Sequence, residues 1–232
     1  MAKPEKVEIK QPVAVLVEGA DYIHVLLSQI DNADFDDIQL FDFSTLPPEN
    51  ATKDARGGQN AALRRYLRVL ARANEGAATK LRALAVIRDA ENNPAGQFAS
   101  VSAVLAEAGW PMAQMPGQVA RGQDGRKAGV LLLPADGLSG CLENALLAAP
   151  TNRVPSELLA CARQFLDCVE THSRNDNWRA KVNIHAVLAG STQNTQAPAL
   201  TLGQSAKAGF WDFTQPSLKP LIDFLREIQM TA

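Results

Sequence analysis

No stretch of this chain approaches the run of about 18 apolar residues that a membrane span requires, so no membrane segment is expected. The N-terminus, Met1 to Pro12, is polar and lacks the apolar centre of a secretory signal. Only three cysteines occur, Cys141, Cys161 and Cys168, and none stands at a paired ligand spacing. An odd, sparse count argues against a secreted disulfide framework and fits a reducing compartment. His24, His172 and His185 share no ligand spacing either, so no zinc site is read. Charge of one sign is not in excess. The formal net charge is -2, and nothing in the composition advertises nucleic acid binding, although a local basic patch remains compatible with it. There is no internal repeat and no low-complexity tract. These absences lead us to expect a soluble, cytoplasmic protein without a membrane partner.

What is present suits one sizeable globular domain: 232 residues, 46% of them hydrophobic. Val13–Val17 is a short β-branched apolar run, the pattern of a strand buried on both faces. Asp21–Ile30 follows with helical spacing at Ile23, Leu26, Leu27 and Ile30. Asp37–Phe43 alternates as a second strand. Asn60–Arg72 sets Leu63, Leu67 and Leu70 on one face with arginines opposite. Leu81–Ile87 is a third strand, Phe98–Gly109 a helix stopped by glycine, Gly129–Pro134 a fourth strand, and Gly140–Ala149 a helix. Strand and helix alternating in this way predict an α/β fold, with a central, mostly parallel four-stranded sheet covered by helices on both faces. That core is expected over residues 1–150. Residues 151–232 are expected to form a helical C-terminal part packed on the same domain, with helices at Ser156–His172, Asn177–Gly190 and Ser217–Gln229. Ser191–Gln204, Thr45–Gly58 and Gln114–Lys127 have loop composition.

In a parallel sheet, ligands gather outside the carboxyl ends of the strands. Glu18 follows the first strand directly, in "VLVEG". Asp89 and Glu91 follow the third, in "VIRDAEN". Glu143 lies in the first turn of the helix after the fourth. Parallel topology brings these acids to one edge of the sheet. Carboxylates that gather repel one another unless a proton or a cation offsets them, and hard divalent cations prefer such oxygens. Taken singly, each acid has a plainer role. Glu18 and Asp89 suit caps or turns, and Glu143 suits a helix's first turn. Asp136, followed by Gly137, is read as a turn residue. Only the joint placement favours a metal site, and it requires Glu18, Asp89 and Glu91 to meet.

A glutamate after the first strand and an acid-x-acid pair after the third resemble the Toprim signature of topoisomerases, DnaG-type primases, OLD-family nucleases and RecR. Here the second motif is Asp-x-Glu where the signature has Asp-x-Asp, which changes the reach of the second ligand. The stretches "RDAENNPAGQFASVSAVLAEAGWP", "GVLLLPADGLSGCLENAL" and "FWDFTQPSLKPLIDFL" extend the similarity to a family of small stand-alone Toprim-related proteins of uncharacterised function. The resemblance implies a Toprim-like Rossmannoid core and Mg²⁺ or Mn²⁺ as cofactor. It implies Glu18 as general acid/base or metal ligand, and Asp89 and Glu91 as metal ligands. Glu143 would be a further ligand, and Lys181 a catalytic cation near a phosphodiester. It implies nuclease-like action on DNA or RNA, with a partner protein such as an ATPase, and it allows an oligomer. The alternative it leaves open is a non-catalytic regulatory or assembly module that binds metal or nucleotide. "RGGQN" (Arg56–Asn60) lacks the lysine and hydroxyl of a phosphate-binding loop, and "GLSG" lacks the flanks of a nucleophile elbow.

Overall fold

The computed structural model describes residues 7–30, 35–45, 58–169, 176–191 and 200–229. The apolar runs become strands of one sheet: β1 (Val13–Val17), β2 (Ile38–Asp42), β3 (Ala83–Asp89), β4 (Val119–Arg121) and β5 (Lys127–Leu133), in the order β2-β1-β3-β5-β4. Every residue of β1, β3 and β5 is buried, as strands covered on both faces must be. β2, β1, β3 and β5 pair in parallel, and β4 runs antiparallel to β5 at the edge.

The sheet therefore has five strands where the sequence predicts four. The extra one lies inside Gln114–Lys127, which has loop composition. A turn makes it. Gly122 N–H donates to Arg126 O at 2.8 Å, and Gly125 takes φ 80. A positive φ of that kind favours glycine, and it folds the chain back onto β5.

Helices α1 (Ala20–Ile30), α2 (Gly58–Gly76), α3 (Pro94–Glu107), α4 (Leu142–Leu147), α5 (Ser156–Val169), α6 (Asp176–Ser191), α7 (Leu202–Lys207) and α8 (Lys219–Ile228) surround the sheet. α7 starts inside the expected loop Ser191–Gln204. Its signal was the capping box of Thr201 and Gln204, each side chain bonding the other's backbone N–H. Residues 192–199 of that loop, 46–57 of Thr45–Gly58, and 170–172 at the expected end of α5 lie outside the described residues.

Strand alternation sorts the core into two clusters. Val13, Val15, Val17, Ala85, Ile87 and Leu133 face α1, α4, α6, α7 and α8. Ala14, Leu16, Leu84, Val86, Val130 and Leu132 face α2 and α3. The C-terminal helices thus extend the first cluster, through Ile184, Leu202 and Phe224. They press hard on the sheet at Gly129 of β5. A Cβ there would stand 2.7 Å from the Phe224 ring and 2.8 Å from the Gln118 carbonyl oxygen. Gly129→Ala is expected to cost about 1–3 kcal/mol, read by urea unfolding, because the ring and the backbone must both give way.

β1 lies between β2 and β3. The chain leaves β1 to lay β2 on one side, then returns to lay β3 on the other. In open α/β sheets a reversal of that kind, here outside the carboxyl ends of β1 and β3, marks the usual ligand position.

Candidate acidic site

Glu18 is the first residue beyond β1, and Asp89 is the last residue of β3, paired with Leu133 of β5. The sequence places Asp89 just past its strand, whereas the structure keeps it in the ladder. Successive strand residues point to opposite faces. Arg88 and Asp89 therefore part company.

Asp89 turns toward α1 and α4. The Tyr22 hydroxyl donates to its Oδ1 at 2.7 Å, and the Leu142 N–H donates to the same oxygen at 3.0 Å. Asp89 is 7% exposed. Burial pushes its carboxyl up from 3.8 to about 6. The two hydrogen bonds and Lys181 resist that rise, and the charge of Glu143 adds to it. Tyr22 is itself held well above its ordinary value, by burial first and then by Asp89, Glu143 and Glu18. It remains a hydroxyl donor.

Arg88 turns toward α2. Its Nε lies 2.7 Å from Glu18 Oε2, and an Nη donates to Asn60 Oδ1 at 2.9 Å. Its guanidinium also lies 5.9 Å from the centre of the Phe43 ring. The side chains of Arg88 and Glu18 are only 3% and 13% exposed. Glu18 is thus half of a buried ion pair.

Glu91 adopts φ 55, a left-handed backbone uncommon outside glycine and asparagine. Reciprocal backbone bonds with Gly140 hold it there, Glu91 N to Gly140 O at 2.7 Å and Gly140 N to Glu91 O at 2.9 Å. Its carboxylate accepts from Asn177 Nδ2 at 2.6 Å. Asn177 opens the first turn of α6 and is buried, and its Oδ1 has no hydrogen-bond partner. Lys181 follows one turn later, half exposed, with Nζ 3.9 Å from Asp89 Oδ2. Burial pulls the Lys181 ammonium down, but the charges of Glu143 and Asp89 outweigh it and the net shift is upward. Glu143, in the first turn of α4, is also buried. Beside it, burial and then the Glu143 charge raise the Cys141 thiol, which stays protonated.

The structure therefore brings Asp89, Glu91, Glu143 and Lys181 into one neighbourhood and ties Glu18 to its edge through Arg88. The three-way meeting of Glu18, Asp89 and Glu91 is not there. Among the described residues, no group of three or more His, Cys, Asp or Glu side chains stands close enough to hold a metal ion. Glu18 is engaged by Arg88, Glu91 by Asn177, and Asp89 Oδ1 by Tyr22 and Leu142. Lys181 supplies the cluster's own positive charge.

The chemistry of the donors still fits a hard divalent cation. They are buried carboxylates plus an amide carbonyl oxygen without a donor, and the neighbouring thiol is protonated. Asp136 stands apart, exposed at φ 60 in its Asp-Gly turn, as its sequence suggests.

Tyr22, Arg88, Asn60 and Asn177 are the site residues that sequence reasoning missed. Arg88 had a signal. A charge inside the buried run "LAVIRD" needs a partner, and the acid after the adjoining strand is the nearest candidate. Asn177 had none.

The fold and site define a three-layer α/β protein with an acidic cluster at the carboxyl edge of a mostly parallel sheet. A family model described as protein of unknown function (DUF3226) matches residues 12–229, and the chain belongs to that family. No curated protein and no solved structure matches it.

Proposed function

We propose that this chain is a Toprim-type protein that holds Mg²⁺ or Mn²⁺ in its acidic cluster and hydrolyses phosphodiester bonds of DNA or RNA. The observation that carries this reading is Asp89. Its carboxyl is buried at the end of a central strand, raised to about 6, and has the buried Glu143 as a neighbour. An amide oxygen would serve the Tyr22 hydroxyl and the Leu142 N–H as well as a carboxylate does, and a cation relieves the burial and the repulsion of the charge together. Asp89, Glu91 and Glu143 would hold the cation only after their side chains turn toward it, because as they stand no three of them come within reach of one ion. When bound, it would offset phosphate charge and polarise the scissile ester. Glu18, oriented by Arg88, would accept or donate a proton at the reacting oxygen. The half-exposed Lys181 ammonium would bind a non-bridging phosphate oxygen. Arg65, Arg68 and Arg72 stand exposed along α2 and would meet the nucleic acid backbone without regard to sequence.

The test is incubation with single- and double-stranded DNA and RNA in Mn²⁺ or Mg²⁺. Cleavage is expected, with loss of at least about a hundredfold in Asp89→Ala and Glu18→Ala, the scale of a lost general acid or base. Cleavage that survives both substitutions, or no cleavage of any substrate, overturns the reading.

One observation favours a second reading. The acids are already offset from within, Glu18 by Arg88 and the others by Lys181. A non-catalytic module that binds metal or nucleotide, together with a partner protein such as an ATPase, accounts for that. It is distinguished by Mn²⁺ binding without cleavage.

A further inference from the structure

Asn177 carries a feature that neither acid motif explains. It is 6% exposed, yet its Oδ1 has no hydrogen-bond donor. An unsatisfied buried carbonyl oxygen costs about 1–3 kcal/mol. Native structures keep few such atoms, and they need a reason. The orientation of the amide is set, because Nδ2 donates to Glu91 Oε2 at 2.6 Å. Rotating the amide would relieve nothing, since it would set two acceptors against each other. Oδ1 therefore stands one amide's width from the Glu91 carboxylate, on the same helix face as Lys181 one turn later.

Three sources of relief exist for such an oxygen: a proton donor, a water or a cation. The titratable and charged groups around it are Glu91, Glu143, Asp89, Lys181 and the protonated Cys141 thiol. That thiol donates to Asn144 Oδ1 at 3.1 Å, with the Asn177 backbone oxygen 3.9 Å away. The surroundings are rich in negative charge, and the one ammonium among them, Lys181, is drawn to Asp89 at 3.9 Å. Hard divalent cations take amide carbonyl oxygens alongside carboxylates.

We propose that Asn177 Oδ1 is a neutral oxygen ligand to the divalent cation of the acidic cluster, beside Glu91. This rests on the metal-binding part of the function proposed above and adds to it a residue from the helical C-terminal half. The arrangement gives the amide two roles. Its N–H₂ fixes the Glu91 carboxylate, and its carbonyl completes the ligand set without adding another repelling charge.

The test is Mn²⁺ titration of the metal-free full chain at pH 7.5, with free Mn²⁺ followed by electron paramagnetic resonance and thermal unfolding recorded in parallel. Wild type is expected to bind. Asn177→Ala is expected to bind about tenfold or more weakly, and Asn177→Asp several-fold more tightly. Asn183→Ala serves as the control. Asn183 is another α6 residue with an unpartnered oxygen, and its removal is expected to leave Mn²⁺ affinity unchanged. Asn177→Asp has a second signature. Without metal, its charge beside Glu91 lowers the Tm, and saturating Mn²⁺ raises the Tm by more than it does in wild type. If Asn177→Ala fails to fold, this larger Mn²⁺ shift decides the matter. Equal Mn²⁺ affinity in wild type and Asn177→Ala, or a shift in Asn177→Asp no larger than in wild type, overturns the role of Asn177 and leaves the metal site standing. No Mn²⁺ binding by wild type overturns both.

Discussion

Asp89→Asn is expected to make the metal-free protein more stable at pH 7.5 while abolishing the metal-dependent cleavage proposed above. The Asp89 carboxyl is raised from 3.8 to about 6, chiefly by burial. Between those two values the folded chain keeps a proton that the unfolded chain releases. Stability therefore falls as pH rises through this window, and above about 6 the full cost is present. At about 1.4 kcal/mol per unit, that cost is on the order of 3 kcal/mol. Asparagine keeps an oxygen that can accept from Tyr22 and from the Leu142 N–H, so the local bonding survives. The lost attraction to Lys181, 3.9 Å away and half exposed, is already contained in that value. A net rise in Tm of roughly 4–10 °C follows for a chain of this size. The comparison is thermal unfolding of both proteins at pH 7.5 and at pH 4.5. The gain should shrink to about a third at the lower pH, where the folded carboxyl is protonated and only the unfolded one still ionises. An unchanged Tm at pH 7.5, or an equal gain at both pH values, would mean that Asp89 is not held under this strain. More stability with less function is the signature of a charge kept for chemistry.

The opposite sign is expected for Arg88→Met. Arg88 is 3% exposed and makes an ion pair with Glu18, a hydrogen bond to Asn60 and a ring contact with Phe43. Methionine fills much of the space but leaves a mostly buried carboxylate and a side-chain amide without partners. Removing one member of such a pair costs about 3–5 kcal/mol. The double variant Arg88→Met with Glu18→Gln should recover about half of that or more, because the stranded charge is gone. Urea unfolding of wild type, both single variants and the double variant closes the cycle. A double variant no more stable than Arg88→Met alone would show that the ion pair is not what the fold relies on. Arg88→Lys is a poor substitute, since a single ammonium does not reproduce the planar fork that reaches Glu18 and Asn60 together.

The sheet's central strands were legible because burial on both faces leaves its mark on every residue. Val13–Val17 was placed to the residue on that ground. β4 was not, because its three residues are only half buried or exposed and carry no period of their own. α7 hid within a polar segment whose capping box is a local signal too short for periodicity. For the site, strand topology alone told that Glu18, Asp89, Glu91 and Glu143 gather at one edge. It could not tell what they touch. Tyr22 meets Asp89 across 67 residues, Arg88 meets Glu18 across 70, and Asn177 meets Glu91 across 86. Such pairings arise from how helices settle on the sheet, and no spacing in the chain records them. The two-residue difference at the end of β3, Ile87 expected and Asp89 found, had the largest effect. It sends Arg88 and Asp89 to opposite faces and so parts Glu18, held by Arg88, from Asp89 and Glu91.

The reciprocal backbone bonds between Glu91 and Gly140 join the loop after β3 to the loop before α4. Two acid-bearing segments are thereby fastened through their backbones, with the bond from the Leu142 N–H to Asp89 beside them. The frame of the cluster and the charge within it are separate properties of the molecule. Residues 91 and 143 can exchange one oxygen donor for another, and the distance between their backbones stays as it was. A family built on this frame can drift from one ligand to the next by rewriting side chains alone, with the fold indifferent to the change.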